Sequence, residues 1–316
     1  MRFGFGVDIG GTTVKIAYFS EAGELLEKWE IPTVTADGGK AILPDIAASV
    51  ESYIKNQGLD RENLIGVGVG VPGPANDCGV VNGCHNLNWG VVDVAALLSK
   101  MLDCPVRVGN DANMAALGEL WKGGGKGNRN LVMVTLGTGV GGGIILNGRP
   151  LNGAHGCAGE IGHIVINPLE QEPCNCGNYG CAEQYCSATG VVRMAKRYLE
   201  SRDTPSILRG TESLTCKAVF DAAQDDDRAA KEILDQVYRY MGVLISSVCN
   251  TVDSDIVVIG GGVSRAGQPL LEGIRKYYPR HAFHPIKDME FAIATLGNDA
   301  GAYGAFKLVL DGVRET

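Results

Sequence analysis

The sequence predicts a duplicated two-domain α/β protein with a ligand cleft, and three observations predict it. Val7-Asp-Ile-Gly-Gly-Thr-Thr-Val14 near the start is echoed by Thr135-Leu-Gly-Thr-Gly-Val-Gly-Gly142, each lying between apolar runs in a strand, glycine turn, strand plan. Strand-like and helix-like segments alternate through the chain. The 316 residues, 45% apolar, suffice for a core in each of two domains. Glycine, at 45 residues, is about double its usual share. It clusters at 66–73, 123–127, 137–143 and 260–262, which reads as backbone approaching a ligand.

Taken in order, 3–29 reads as a hairpin or meander carrying Asp8 at a strand end and Gly10-Gly11-Thr12 in the turn. Ile42, Ile46, Val50 and Ile54 give 39–57 a helical period, and the buried strand Leu64 to Val71 is broken by Pro72-Gly73-Pro74. An amphipathic helix follows over Val92 to Met101. The short strand from Val106 then runs into Asn110-Asp111, where a helix from Ala112 to Trp121 begins. Gly123 to Asn130 is a glycine-rich connection. Leu131 to Leu136, the turn Gly137 to Gly143 and Ile144 to Leu146 open the second half. Helices are expected near 189–200, 215–224 and 227–249, a strand over Asp255 to Ile259, the turn Gly260 to Val263, and a last helix from about Gly297 to Val313. Domain boundaries are accordingly expected at 1–118 plus about 297–316, and at 119–296.

A formal charge of −8 leaves no electrostatic footprint for nucleic acid or for an anionic membrane. No apolar run reaches 18 residues, and an acid at position 8 interrupts any leader-like segment, so a cytoplasmic protein is expected. Ten cysteines, seven of them scattered, suit a reducing compartment. Three are not scattered. Cys174, Cys176 and Cys181, with His163 eleven residues before the first, supply the four N/S donors of a closed tetrahedral zinc site. Glu160 and Glu183 flank that set, so the metal is expected to shape a pocket and not to activate water.

The two glycine turns, Gly10-Gly11-Thr12 and Gly137-Thr138-Gly139 onward, are rows of backbone N–H groups suited to phosphates, although neither ends in the Gly-Lys-Ser/Thr of a P-loop. Asp8 is placed to hold Mg²⁺ beside them; a turn-initiating aspartate is the alternative. Asp111 is the candidate base for a hydroxyl attacking a γ-phosphoryl group, and an N-cap role is its alternative. Gly260-Gly261-Gly262 lets a flat ring approach, or is a simple turn between strand and helix.

Together Asp8-Ile-Gly-Gly-Thr12, Asn110-Asp111, Leu136-Gly-Thr-Gly-Val-Gly-Gly-Gly143, Glu160-x-Gly-His163, Cys-x-Cys-Gly-x-x-Gly-Cys-x-Glu at 174–183 and Gly260-Gly-Gly-Val263 resemble the ROK family of sugar kinases and repressors, across essentially the whole chain. The resemblance implies an actin/hexokinase-like (ribonuclease H-like) duplicated fold with a central interdomain cleft closing over Mg-ATP and a hexose. It implies that Asp111 takes the proton of the sugar 6-hydroxyl, that Asn110 holds a neighbouring hydroxyl, and that Glu160, His163 and Glu183 bind the sugar. Gly73 and Asn86 match sugar-contact regions. The phosphates fall to the two glycine turns and adenosine to Gly261 and Gly262, with structural Zn²⁺ on His163, Cys174, Cys176 and Cys181. Family kinases are commonly dimers or tetramers, so a homo-oligomer is expected. The stretch from Glu172 to Gly190 is most similar to glucose-phosphorylating members. Fructose, mannose, N-acetylmannosamine and N-acetylglucosamine stay open as substrates, and polyphosphate as donor. A repressor reading would need a winged helix-turn-helix ahead of the first strand, for which a strand beginning at residue 3 is expected to leave no room.

Overall fold

A computed structural model describes residues 1–211 and 213–314. Glu212, and Glu315 with Thr316 at the end of the expected 297–316 segment, lie outside the described residues. In chain order the first half runs β1 (Phe3–Ile9), β2 (Thr13–Ser20), β3 (Leu25–Pro32), a single turn α1 (Ala36–Gly39), α2 (Ile42–Asn56), β4 (Leu64–Val71), β5 (Val80–Cys84), β6 (Trp89–Asp93), α3 (Val94–Leu102), β7 (Val106–Asn110) and α4 (Asp111–Lys122). The second half continues β8 (Leu131–Leu136), β9 (Val140–Leu146), β10 (Arg149–Pro150), a short α5 (Glu183–Cys186), α6 (Ala188–Ser201), α7 (Cys216–Gln224), α8 (Arg228–Val252), β11 (Ile256–Gly260), α9 (Gln268–Tyr277), β12 (Glu290–Ile293) and α10 (Ala300–Arg314).

The two five-stranded sheets follow one plan, ordered β3-β2-β1-β4-β7 and β10-β9-β8-β11-β12. In the first, β1 pairs antiparallel with β2, while β4 lies parallel to both β1 and β7. In the second, β11 lies parallel to β8 and β12. The echo between residues 7–14 and 135–142 is thus a repeated sheet. Central strands are apolar on both faces because helices cover them, so β4 and β11 read as continuous apolar runs without alternation. Two compact units result: 1–129 with 143–159 and 295–314, and 130–142 with 160–294.

Two expectations from glycine need correction. Within the cluster at 66–73, Gly68 serves helix packing: a side chain there would overlap the Ala305 carbonyl of α10, as one at Gly6 would the Ala302 carbonyl. Bare backbone there lets α10 lie directly on β1 and β4, with Phe306, Val309 and Leu310 buried against Phe19 and Ile65. The turn after β8 is shorter than expected, because β9 already begins at Val140 and takes Gly141 to Gly143 into a strand. The hairpin β5–β6 and the pair α9 and β12 were not anticipated. No helix among the described residues is long and apolar enough to cross a membrane.

Candidate functional site

Parallel register carries the first unit's chemistry to one end of its sheet. Asp8 lies opposite Gly70, Gly70 opposite Gly109, and Val71 opposite Asn110, so the C-terminal ends of β1, β4 and β7 stand side by side. Burial raises the Asp8 carboxyl above its ordinary value, an effect that Lys15, with Nζ 3.8 Å from Oδ2, opposes without cancelling. A carboxylate so placed gains from a second cation. The Gly10–Thr12 turn is braced by Gly10 N–H donating to Thr13 O at 2.9 Å and Thr33 Oγ1 donating to Gly10 O at 2.8 Å.

At the end of β7 the helix cap is Asn110, whose Oδ1 accepts from the N–H groups of Ala112 (3.0 Å) and Asn113 (3.2 Å). The N-cap reading of Asp111 is therefore corrected. Asp111 is the first residue inside α4, and its Oδ1 accepts from Ala112 N–H at 2.8 Å. Asn110 Nδ2 donates to Gly73 O at 3.3 Å, which joins two of the predicted sugar residues. Behind them Cys84 donates its thiol to Pro72 O at 3.0 Å. Burial pushes that thiol up, and the charge of Asp111 adds to the shift. Asn86 lies beside Gly11. Sequence reasoning missed Asn113, fully buried, whose Oδ1 accepts from Ile144 N–H (3.4 Å) and whose Nδ2 donates to Asn152 Oδ1 (3.3 Å), fixing α4 two residues from Asp111.

The second unit gathers the other set. His163 ends a one-turn helix, Ile161–His163, that exposed Glu160 precedes. The donor atoms of His163, Cys174, Cys176 and Cys181 all lie within 4.8 Å of one another. Bonds of about 2.0–2.3 Å at a tetrahedral zinc put neighbouring donors about 3.3–3.8 Å apart. Cys176 and Cys181 Sγ are separated by 3.6 Å, and Cys174 Sγ and His163 Nδ1 by 3.9 Å, so the donor set is consistent with that ion. With Nδ1 turned to the thiols, Nε2 remains for another partner.

Glu183, at the start of α5, reaches two neighbours. Its Oε2 accepts from Val140 N–H at 3.1 Å, and its Oε1 lies 3.9 Å from Cys174 Sγ. Gly139 is where that carboxylate rests, since a side chain there would overlap Glu183 Oε2. The Gly137–Gly139 turn is latched to α6 through Ala188 N–H on Gly137 O (2.8 Å) and Thr189 Oγ1 on Thr138 O (2.7 Å). Gly261 and Gly262 follow β11 directly. Gly262 borders a cavity of about 340 Å³ walled by Phe220, Val263 and Ala188 and edged by Lys217, Asp221 and Gln224.

The profile of the ROK family matches residues 4–312. The chain belongs to the ROK family. A curated glucokinase of Halalkalibacterium halodurans is 43% identical over 313 residues, covering 98% of this chain and 95% of the relative. The xylose repressor of Caldicellulosiruptor bescii is 26% identical, across 96% of this chain and 77% of its own length. Among solved structures, a ROK family glucokinase from Streptomyces griseus in complex with glucose and AMPPNP matches with a TM-score of 0.72 at 30% identity, covering 99% of this chain and all of that one. The ROK hexokinase from Thermus thermophilus matches with a TM-score of 0.80 at 28% identity, each chain covered in full. The ROK chain accordingly has the actin/hexokinase-like fold, built on the repeated sheet described above.

Proposed function

We propose that this ROK protein transfers the γ-phosphoryl group of ATP to the 6-hydroxyl of glucose, giving glucose 6-phosphate and ADP. The observation that carries the reading is the 43% identity to a glucokinase over 98% of the chain. The position of Asp111 supports it: because Asn110 caps the helix, the Asp111 carboxylate is not the cap of α4. Asp111 accepts the hydroxyl proton as the sugar oxygen bonds to Pγ and the bond from Pγ to the β-phosphate oxygen breaks. Asn110, with Oδ1 committed to the helix, offers a remaining Nδ2 hydrogen to a neighbouring hydroxyl. Gly73 and Asn86 line the sugar, and Glu160, His163 Nε2 and Glu183 take further hydroxyls.

Mg²⁺, held by Asp8, would neutralise phosphate charge, while Gly10, Gly11, Thr12, Gly137, Thr138 and Gly139 offer backbone N–H groups. Gly262, with Gly261 next to it in the chain, borders the cavity assigned to the adenosine end, whose 340 Å³ suits a purine nucleoside. Zinc on His163, Cys174, Cys176 and Cys181 would fix the imidazole tautomer. Likeness to a xylose repressor favours a second reading, a sugar sensor without turnover. ADP release from Mg-ATP over a panel of glucose, mannose, fructose, N-acetylglucosamine and N-acetylmannosamine separates the two. Glucose-dependent release is expected; none with any sugar would favour the sensor.

A further inference from the structure

The second unit holds an ion network, built around one buried carboxylate, that the proposed chemistry does not use. Segment 164–182 leaves His163, carries all three cysteine donors and returns to Glu183. Midway along it is Glu170, whose side chain is only 3% exposed. Arg197 grips that carboxylate with both terminal nitrogens, at 2.8 and 2.9 Å, and Arg193 Nη2 lies 2.7 Å away. Tyr185 Oη donates to it at 2.5 Å, and the N–H groups of Gln171 and Glu172 donate at 2.9 and 3.0 Å. Glu172 closes the outside, 2.9 Å from each arginine. The two arginines sit one turn apart on α6 and so share a face. Hydrogen bonds from Arg197, outweighing burial, hold the Glu170 carboxyl well below the usual range.

The network continues into the residues immediately after Glu183. Gln184 Oε1 accepts from the N–H groups of Gly180 (2.9 Å) and Cys181 (3.1 Å), its Nε2 donates to Glu172 O (2.9 Å), and its carbonyl accepts from Arg193 Nη1 (3.2 Å). Tyr185 Oη also accepts from Asn167 Nδ2 at 2.8 Å. Residues 184 and 185 are thus tied to the same clamp as the middle of the cysteine-bearing segment. Apolar packing would hold such a segment at least as stably, because charge burial is costly. What the ionic arrangement adds is direction, since a forked guanidinium on a carboxylate fixes angle as well as distance.

We infer that Glu170, Arg193 and Arg197 are positioning residues for the sugar, bracing segment 164–182 so that His163 and Glu183 keep their places independently of the metal. The inference rests on the assignment of those two side chains to the sugar. Calorimetric titration of glucose into the full-length wild type, with its metal content measured, comes first; absence of binding there would reject the sugar assignment itself before any variant is made. Glu170→Gln, which keeps the shape and drops the charge, and Arg197→Lys, which keeps the charge and drops the fork, are then compared by KM for glucose, KM for Mg-ATP, kcat and metal per chain. Expected is a rise of about 10-fold in the glucose KM with the Mg-ATP KM and metal content unchanged. An unchanged glucose KM in either folded variant would overturn the inference and leave the clamp a stabilising contact only. Metal lost in step with the KM change would also overturn it, since the effect would then run through the cysteines. Should Glu170→Gln not fold, Arg197→Lys with Arg193→Lys carries the same test.

Discussion

Gly139→Ala should damage sugar recognition without disturbing the fold. Gly139 is not among the positive-φ glycines, so alanine meets no backbone strain. The new methyl group would instead overlap Glu183 Oε2 and approach Cδ to 3.1 Å. The obstacle is the far end of a side chain, so Glu183 gives way and the backbone stays. Moving it breaks the 3.1 Å bond from Val140 N–H. A hydrogen bond to a charged group contributes about 1.5–3 kcal/mol. Glu183 is only partly buried, so water replaces some of this and the lower end applies, about tenfold in binding. Misplacing a positioning group by about 1 Å can cost 10²-fold, which sets the upper limit. Glucose KM should therefore rise about 10- to 100-fold, measured by coupled ADP release with glucose varied at saturating Mg-ATP and then the reverse. Melting should barely move, because exchanging glycine for alanine also removes unfolded-state freedom, about 0.4–1 kcal/mol in favour of folding. Wild-type glucose KM in this variant would refute the reasoning, showing that the seat of Glu183 is irrelevant to the sugar. A rise confined to Mg-ATP would place the role of Gly139 with the phosphates alone.

Asp111→Asn should lower kcat by about 10²–10⁴. Its melting temperature should stay near that of the wild type, because Asn110 supplies the cap and an acid in the first turn adds only about 0.3–1 kcal/mol; turnover within a few-fold of wild type would remove Asp111 as base. Cys176→Ala should cost the protein its metal, read by elemental analysis, and raise glucose KM before it lowers stability; a metal-free variant with unchanged sugar kinetics would reduce the cluster to scaffolding. Because the Glu170 pKa is depressed below its ordinary 4.5, its contribution to stability is complete above that pH and is lost as pH falls through the folded value. Urea unfolding should therefore show the wild type's advantage over Glu170→Gln full at pH 7 and shrinking below about 4.5, and a constant difference down to pH 3 would contradict the ionic account.

Motif-bearing strand ends were legible because the chemistry and the topology coincide there: Asp8, Asn110 and the turn at Gly137 each close a strand whose apolar run is visible in the sequence. The gathering of His163, Cys174, Cys176 and Cys181 was legible from spacing alone. Gly68 was not, because a glycine admitting a helix and a glycine admitting a phosphate look the same in one dimension. The cap role held open for Asp111 fell to its neighbour Asn110, since either side chain can accept a helix N–H and only geometry decides. Glu119, fully buried, shows the harder limit: its carboxylate accepts from the N–H groups of Gly124 (2.8 Å), Thr295 (3.1 Å) and Leu296 (2.8 Å), partners up to 177 residues away. Glu170 escaped notice for the same reason. Polar residues that satisfy each other through the tertiary structure carry no periodicity to read.

The seating of α10 on the glycine-bare face of β1 and β4 has a consequence for how the protein is made. Phe19 stacks on Phe306 with ring centroids 5.0 Å apart, so the first sheet finishes its core with residues translated long after its own strands. At about 5–20 residues per second, the gap between the end of β7 and α10 amounts to roughly 10–40 s of synthesis. Throughout that interval Phe19 and Ile65 lack their permanent cover, while the second unit, 130–142 with 160–294, is translated whole within it. The half that is written first is therefore completed last, with one apolar face of its sheet waiting for α10.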